Sequence, residues 1–136
     1  MTLDDLNAHL IIIQELEAAR EALAALETAT LTASRLDVKT HIPGVRDRTA
    51  ALAVKIAMQR EVVARYERAA EASGVPVKEF VDSISDNRLN VVFYLRFMCG
   101  FEWQTVAEII GGKNTTNSVK ALVYRYFRTQ AAKTRV

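Results

Sequence analysis

Apolar residues recur every three or four positions along two long stretches of the N-terminal half, at about residues 3–27 and 46–72. This spacing predicts two helices that are apolar on one face and charged on the other, and their length suits a coiled-coil-like seam. The seam residues are Leu3, Leu6, Leu10, Ile13, Leu16, Ala19, Leu23 and Leu26 in the first helix and Thr49, Leu52, Ile56, Val63, Tyr66 and Ala70 in the second.

A connector is predicted between these helices, at residues 28–45, because its β-branched threonines disfavour helix and its Pro43-Gly44 pair is typical of a turn. Two helices joined in this way are expected to form an antiparallel hairpin. A hairpin alone has little core, so its seam should meet either a second copy of the chain or the rest of the same chain. We favour self-association through residues 3–74, which Ile56→Asp would then disrupt.

A break is predicted at Ser73-Gly74-Val75-Pro76, where a capping glycine precedes a proline. It divides the chain into a helical hairpin, residues 1–74, and a second domain, residues 75–136. Shorter helices are predicted in the second domain at residues 77–84, 87–99, 103–110 and about 117–130. Ser85 or Asp86 should cap the start of the second of these helices, and Thr115 or Thr116 the start of the last. Gly100 should end the second helix and Gly111-Gly112 the third. Nothing alternates convincingly with period two, so the predicted fold class is all-α.

Composition excludes several classes of protein. The single cysteine, Cys99, allows no internal disulfide, and His9 and His41 have no partners at metal-site spacing, so neither a metal nor a cofactor is expected. We expect Cys99 to be a buried, unreactive thiol. The apolar stretches are far shorter than the ~20 residues of a membrane span, and no basic signal region opens the chain, so a cytoplasmic protein without membrane contact is expected.

Charge is distributed unevenly along the chain. Residues 1–74 carry nine basic and eleven acidic side chains, a net charge of −2, whereas residues 75–136 carry nine basic and five acidic, a net charge of +4. Every charged side chain after Glu108 is basic. Such a run is the pattern expected for contact with phosphates, although a solvated basic tail has the same composition.

The last three predicted helices, with their glycine-containing turns, have the size of a helix-turn-helix domain. In the final helix, Val119, Leu122, Val123 and Tyr126 form the apolar stripe that should face inward. The outward face is then predicted to bind double-stranded DNA, because it combines residue types that read bases with types that contact phosphates. Its residues are Thr116, Asn117, Lys120, Ala121, Tyr124, Arg125 and Arg128.

Two other residue groups in this half of the chain suggest different chemistries. The aromatic residues Phe93, Tyr94, Phe97, Phe101 and Trp103 could stack on single-stranded bases, but their helical spacing favours core packing, above all for Trp103. The carboxylates of Glu79, Asp82 and Asp86 have no histidine or nucleophile beside them and are explained by helix capping. No enzyme activity is expected.

One family resemblance covers residues 85–128. Asp86-Asn87-Arg88, the run Val91 to Phe97, Gly100, Trp103, Val106 to Gly111 and Ser118-Val119 resemble the DNA-binding part of ArpU-type late-transcription regulators of phages and prophages. That part is similar to the fourth conserved region of bacterial sigma factors, which implies a helix-turn-helix in the major groove. The resemblance to the phage regulators also implies an N-terminal helical hairpin. The turn at residues 111–116 is longer than the sigma-factor turn, and Glu102 stands where a Ser or Thr cap is usual.

Together these patterns predict a sequence-specific, double-stranded-DNA-binding protein of the cytoplasm, and the family resemblance implies a transcription regulator of phage or prophage type in a bacterial host. One alternative is a DNA-packaging protein like a small terminase subunit, although those usually carry the DNA-binding unit first. Another is a helix-turn-helix module that binds a host protein such as RNA polymerase, against which the basic C-terminus argues.

Overall fold

The structure is a computed structural model that describes residues 1–40 and 45–134, so Pro43-Gly44 lies outside the described residues. Its helices are α1 (Leu3–Thr40), α2 (Val45–Asp82), α3 (Asn87–Phe93), which passes directly into a π-helical turn (Tyr94–Met98), α4 (Trp103–Ile110) and α5 (Thr116–Thr134). Within these two ranges no strand occurs, so the predicted all-α class is confirmed.

The first helix extends well past its predicted end, and the prediction of a connector from residue 28 is wrong for residues 28–40. The hydroxyls of Thr28, Thr30 and Thr32 each donate to the carbonyl oxygen four residues earlier, at 3.0–3.2 Å. These bonds give each hydroxyl a partner within the helix. The threonine-rich segment is therefore compatible with helix despite its β-branched side chains.

The predicted break at residues 73–76 is also wrong, because α2 continues through Gly74 and Pro76 to Asp82. Gly74 is not among the glycines with positive φ. A Cβ atom built on it would lie 3.3 Å from His9 Cε1, so the glycine permits close packing and does not end the helix. The segment predicted as a separate linking helix, residues 77–84, is mostly the last part of α2.

The chain forms two compact units, which differ from the predicted division at residue 74. The terminal unit combines Met1–Ile13 with Glu71–Val136. Its core joins the start of α1 to the short helices, and the seam of α1 is covered there within one chain. The buried residues of this core are Leu6, Leu10, Val77, Val81, Ile84, Val92, Phe93, Phe97, Val106, Ala107, Val119 and Val123.

The middle unit, Gln14–Ala70, consists of the remaining parts of α1 and α2. Leu16, Ala19 and Val63 form its small core. Two ion pairs, Arg20–Glu67 at 3.2 Å and Glu27–Arg60 at 3.6 Å, join the helices in opposite sequence order, so these stretches run antiparallel.

Ile56 is buried within the single chain. Ile56→Asp would therefore destabilise this unit itself, and the expectation that it specifically separates copies of the chain is corrected.

Candidate nucleic-acid interface

Local capping signals determine where the short helices begin and end. Asp86 Oδ1 accepts hydrogen bonds from the backbone N–H groups of Arg88 at 2.9 Å and Leu89 at 3.1 Å, so Asp86 is the N-cap of α3. Gly100 and Gly111 have backbone φ values of +78° and +73°, which residues with a Cβ atom rarely adopt. The predicted cap at Asp86 and the predicted stops at both glycines are confirmed.

The start of α5 is held by a reciprocal pair of hydrogen bonds. Thr115 Oγ1 accepts from the Ser118 N–H at 3.1 Å, and Ser118 Oγ accepts from the Thr115 N–H at 2.8 Å. This arrangement is a capping box in which serine takes the usual role of glutamate. Asn114 Nδ2 donates to the Gly111 carbonyl at 2.8 Å, and Asn114 Oδ1 accepts from Arg88. The loop that leads into α5 is thus tied to the end of α4 and to α3.

The inward face of α5 is anchored in the core of the terminal unit. Val119 and Val123 are fully buried, and Leu122 and Tyr126 are half-buried, as the apolar stripe predicts. An aromatic cluster encloses the far end of the stripe, with ring centroids 5.3–6.1 Å apart. Its members are Phe80, Phe93, Tyr126 and Phe127. This packing fixes which side of α5 faces outward.

The opposite side of α5 carries most of the predicted contact residues. Asn117, Tyr124, Arg125 and Arg128 are exposed, while Thr116, Lys120 and Ala121 are half-buried. The stripe directly opposite the buried valines comprises Asn117, Ala121, Tyr124 and Arg128, which follow one another at helical spacing. Between residue 109 and the last described residue, 134, no acidic side chain occurs. We call this stripe, together with the half-buried Lys120 at its edge, the α5 face.

The remaining two predicted contact residues lie at the flanks of this face. Thr116 lines an open cleft of ≈ 520 Å³ with residues of α4, among them Gln104 and Glu108. Arg125 lines another cleft, of ≈ 410 Å³, together with Asp86 and Lys133. Both residues border the α5 face without belonging to its central stripe.

Arg96 lies beside the α5 face and was not predicted as part of it. Its Nη1 donates to the Phe101 carbonyl at 2.9 Å, and its guanidinium carbon lies 4.6 Å from the centroid of the Trp103 ring. Burial lowers the pKa of Arg96, while the nearby Glu102 and Tyr124 act in the opposite direction. The sequence placed Arg96 next to Phe97 on an apolar face, and nothing in its spacing reveals the contact with Trp103 or the proximity to Tyr124.

The aromatic residues that could form a stacking platform divide into two groups. Phe93 and Phe97 are fully buried and Trp103 is half-buried, with its ring edge-to-face against Phe97 at 6.3 Å. Core packing is thus confirmed for the two phenylalanines and holds in part for Trp103. Tyr94 and Phe101 are exposed instead. Cys99 is exposed too, so the prediction that its thiol is buried is wrong.

The described part of the chain holds neither a group of metal ligands nor a membrane-spanning helix. Across residues 1–40 and 45–134, His, Cys, Asp and Glu side chains do not gather in groups of three or more that could hold a metal ion. None of the described helices combines the length and the apolarity that crossing a membrane requires. No protein-family model, curated protein or solved structure matches the chain.

Proposed function

We propose that this chain is a sequence-specific, double-stranded-DNA-binding transcription regulator of phage or prophage type. In this proposal α4 and α5 form a helix-turn-helix with α5 as the recognition helix. The antiparallel parts of α1 and α2 form a hairpin through which copies of the chain associate. The observation that carries the proposal is the α5 face, whose central residues Asn117, Ala121, Tyr124 and Arg128 lie directly opposite two fully buried valines, with Lys120 at its edge.

The chemistry of this face suits the major groove. Asn117 lies in the first turn of α5, where a recognition helix brings its side chains to base edges. An asparagine amide can donate to and accept from adenine, and a lysine ammonium donates to guanine. The small Ala121 permits close approach to a thymine methyl group. These residue types read bases in duplex DNA.

Basic residues around this face supply the phosphate contacts. Arg128 lies near the C-terminal end of the stripe and Arg125 at its flank, and both are exposed. The absence of acidic side chains from the described residues after 108 leaves this end of the chain without local repulsion of phosphates. Glu108 lines the cleft beside Thr116, so we assign base contacts to Asn117 and Lys120 ahead of Thr116.

The test compares two substitutions on the same preferred and random duplexes. Lys120→Ala should weaken binding to the preferred site by roughly 1–3 kcal/mol and leave random DNA nearly unchanged, because a lost base contact discriminates between sequences. Arg128→Ala should weaken binding to both duplexes and lower the salt slope by about one unit, because it removes one phosphate contact. Fluorescence anisotropy over a salt series measures both effects.

Lys55→Ala is the matched control, since Lys55 is an exposed lysine of the middle unit. It should leave both affinities unchanged. Equal losses for Lys120→Ala on specific and random DNA would show that α5 contacts only the backbone, as a packaging protein could. Wild-type protein that fails to bind either duplex would overturn the proposal and turn attention to a protein partner such as RNA polymerase.

A further inference from the structure

One stripe of α2 in the middle unit faces away from the core of that unit. It comprises Asp47, Ala51, Val54, Met58, Glu61 and Arg65, which follow one another at alternating intervals of four and three residues. We call it the α2 stripe. All six residues are exposed, and Val54 and Met58 keep 62% and 57% of their surface accessible. Ile56 and Val63, which are buried, project from the opposite side of the helix.

The α2 stripe combines apolar residues with charged residues that form no ion pair with any described residue. Val54 and Met58 lie at its centre, an acidic residue lies at its N-terminal end and a basic residue at its C-terminal end. Neither Asp47 nor Arg65 takes part in an ion pair within the described residues. Alternating intervals of three and four are the spacing by which helices pack along a common seam.

We infer that the α2 stripe is the contact surface of a homodimer in which the α2 helices of two copies run antiparallel. Val54 of each copy then lies opposite Met58 of the other. With this register, residues whose numbers add up to 112 face each other. Asp47 therefore meets Arg65 of the second copy, and by the two-fold symmetry this opposite-charge pair forms twice.

Charge complementarity selects this occupant and this register. A parallel, in-register pair would place each of Asp47, Glu61 and Arg65 against its own copy, so that like charges repel. An antiparallel pair centred on Val54 would place Asp47 against Glu61, again two like charges. One centred on Met58 would leave Asp47 and Arg65 opposite alanines. The register that pairs Val54 with Met58 brings opposite charges together at both ends, and only Glu61 faces an uncharged residue, the exposed Ala51 of the other copy.

This inference rests on the self-association in the proposed function and names the surface that makes it. The α2 stripe contains none of the residues proposed to contact DNA. Sedimentation equilibrium of the full chain over a micromolar concentration range should show a monomer–dimer equilibrium. Met58→Asp should raise the dissociation constant at least about tenfold, because it places two unpaired charges in the contact. Met58 is exposed in the single chain, so circular dichroism of this variant should remain that of the wild type.

Ile11→Asp is the matched control, because Ile11 is also 57% exposed but belongs to the terminal unit. It should leave the dissociation constant unchanged. A wild-type chain that stays monomeric throughout the range would overturn the inference. So would a Met58→Asp variant that associates as tightly as the wild type.

A charge exchange tests the register itself. Asp47→Arg and Arg65→Asp should each weaken self-association about tenfold, since each creates two like-charge contacts per dimer. An equimolar mixture of the two variants should regain a dimer, because every terminal contact then joins opposite charges. The double variant should also regain it. If the mixture and the double variant associate no better than the single variants, the antiparallel register is excluded. Affinity for random duplex, measured on the same samples, reports separately on DNA binding.

Discussion

The terminal unit and the middle unit differ in how completely their cores exclude water. In the terminal unit nine of the described side chains are less than 2% exposed, including Phe93 and Phe97. The buried residues of the middle unit, Leu16, Ala19, Ile56 and Val63, each retain 7–8%. The first core draws on segments from both ends of the chain, whereas the second lies between two helices.

This difference accords with the two roles proposed for the units. A recognition surface needs side chains held in fixed positions, and α5 is held by two fully buried valines and an aromatic cluster. A pair of long helices with a thin core gains from covering more apolar surface, which association of two copies would provide. If the two cores are independent, a substitution that destabilises one unit should leave the other unit intact.

Phe93→Ala should cause the largest loss. Phe93 is fully buried and contacts Phe80, Phe97, Tyr126 and Phe127. Removal of a buried phenylalanine ring costs about 3–5 kcal/mol of unfolding free energy, which is comparable with the whole stability of a small domain. Urea denaturation followed by tryptophan fluorescence reports on this unit through Trp103. Ile109→Ala, at an exposed position, should change stability by less than about 0.5 kcal/mol.

Leu16→Ala should destabilise the middle unit by about 2 kcal/mol, the lower end of the range for buried leucines, because two helices can close partly over the space. Hydrogen exchange should accelerate across residues 14–70 and remain slow around Val119 and Val123. Leu31→Ala, at an exposed position of the same helix, is the control. Equal acceleration in both units would mean that the two cores unfold as one.

The sequence predicts the short helices of this fold better than the long ones. Asp86, Thr115, Gly100 and Gly111 each act within a few residues of their own position, so the pattern there is sufficient to locate helix ends. The two errors in the long helices, the predicted connector in α1 and the predicted break in α2, concern residues that usually interrupt helices. The threonines of α1 have their hydroxyls bonded to its own backbone, and Gly74 lies against His9, sixty-five residues away in sequence.

The periodicity of the sequence does not predict which helices pack against each other. Leu6 and Leu16 belong to one continuous apolar pattern, yet they lie in different cores. A helical repeat identifies a buried face without identifying what covers it. The same limit applies to the candidate interface. The stripe of Asn117, Tyr124 and Arg128 follows from spacing alone, whereas the position of Arg96 beside Tyr124 depends on a turn and a stacking contact formed in the tertiary fold.

Thr115→Ala should have a moderate effect, confined to the terminal unit. It removes the oxygen that accepts from the Ser118 N–H, and loss of such an N-cap costs about 1 kcal/mol. Fraying of the first turn should also weaken binding to the preferred duplex, because Asn117 lies in that turn. Thr115→Asn, which keeps a capping oxygen, should retain both stability and affinity. If the alanine variant binds DNA as the wild type does, the first turn of α5 is not part of the contact.

The smallest expected effect is a dependence on pH that arises from His9. This side chain is buried in the terminal unit, where its Nδ1 forms a hydrogen bond with the hydroxyl of Ser73. Burial lowers the pKa of His9 from its usual value near 6.5, because the charged imidazolium loses its hydration. The unfolded chain therefore binds a proton more readily than the folded chain. Stability from neutral His9 is fully present above about pH 6.5 and is lost as the pH falls from there towards the lowered pKa.

Urea denaturation at intervals between about pH 8 and pH 5 measures this loss, over a range in which ordinary carboxylates stay mostly ionised. His9→Asn offers a hydrogen-bonding side chain that does not titrate, so its unfolding free energy should change less over the same interval. Hydrogen exchange should locate the difference in the terminal unit, around Ser73 and the start of α1. An identical pH profile in wild type and His9→Asn would show that His9 titrates alike in the folded and unfolded chain. Burial would then not be what holds its ring neutral, and the start of α1 would be more open to water than the core around Phe93.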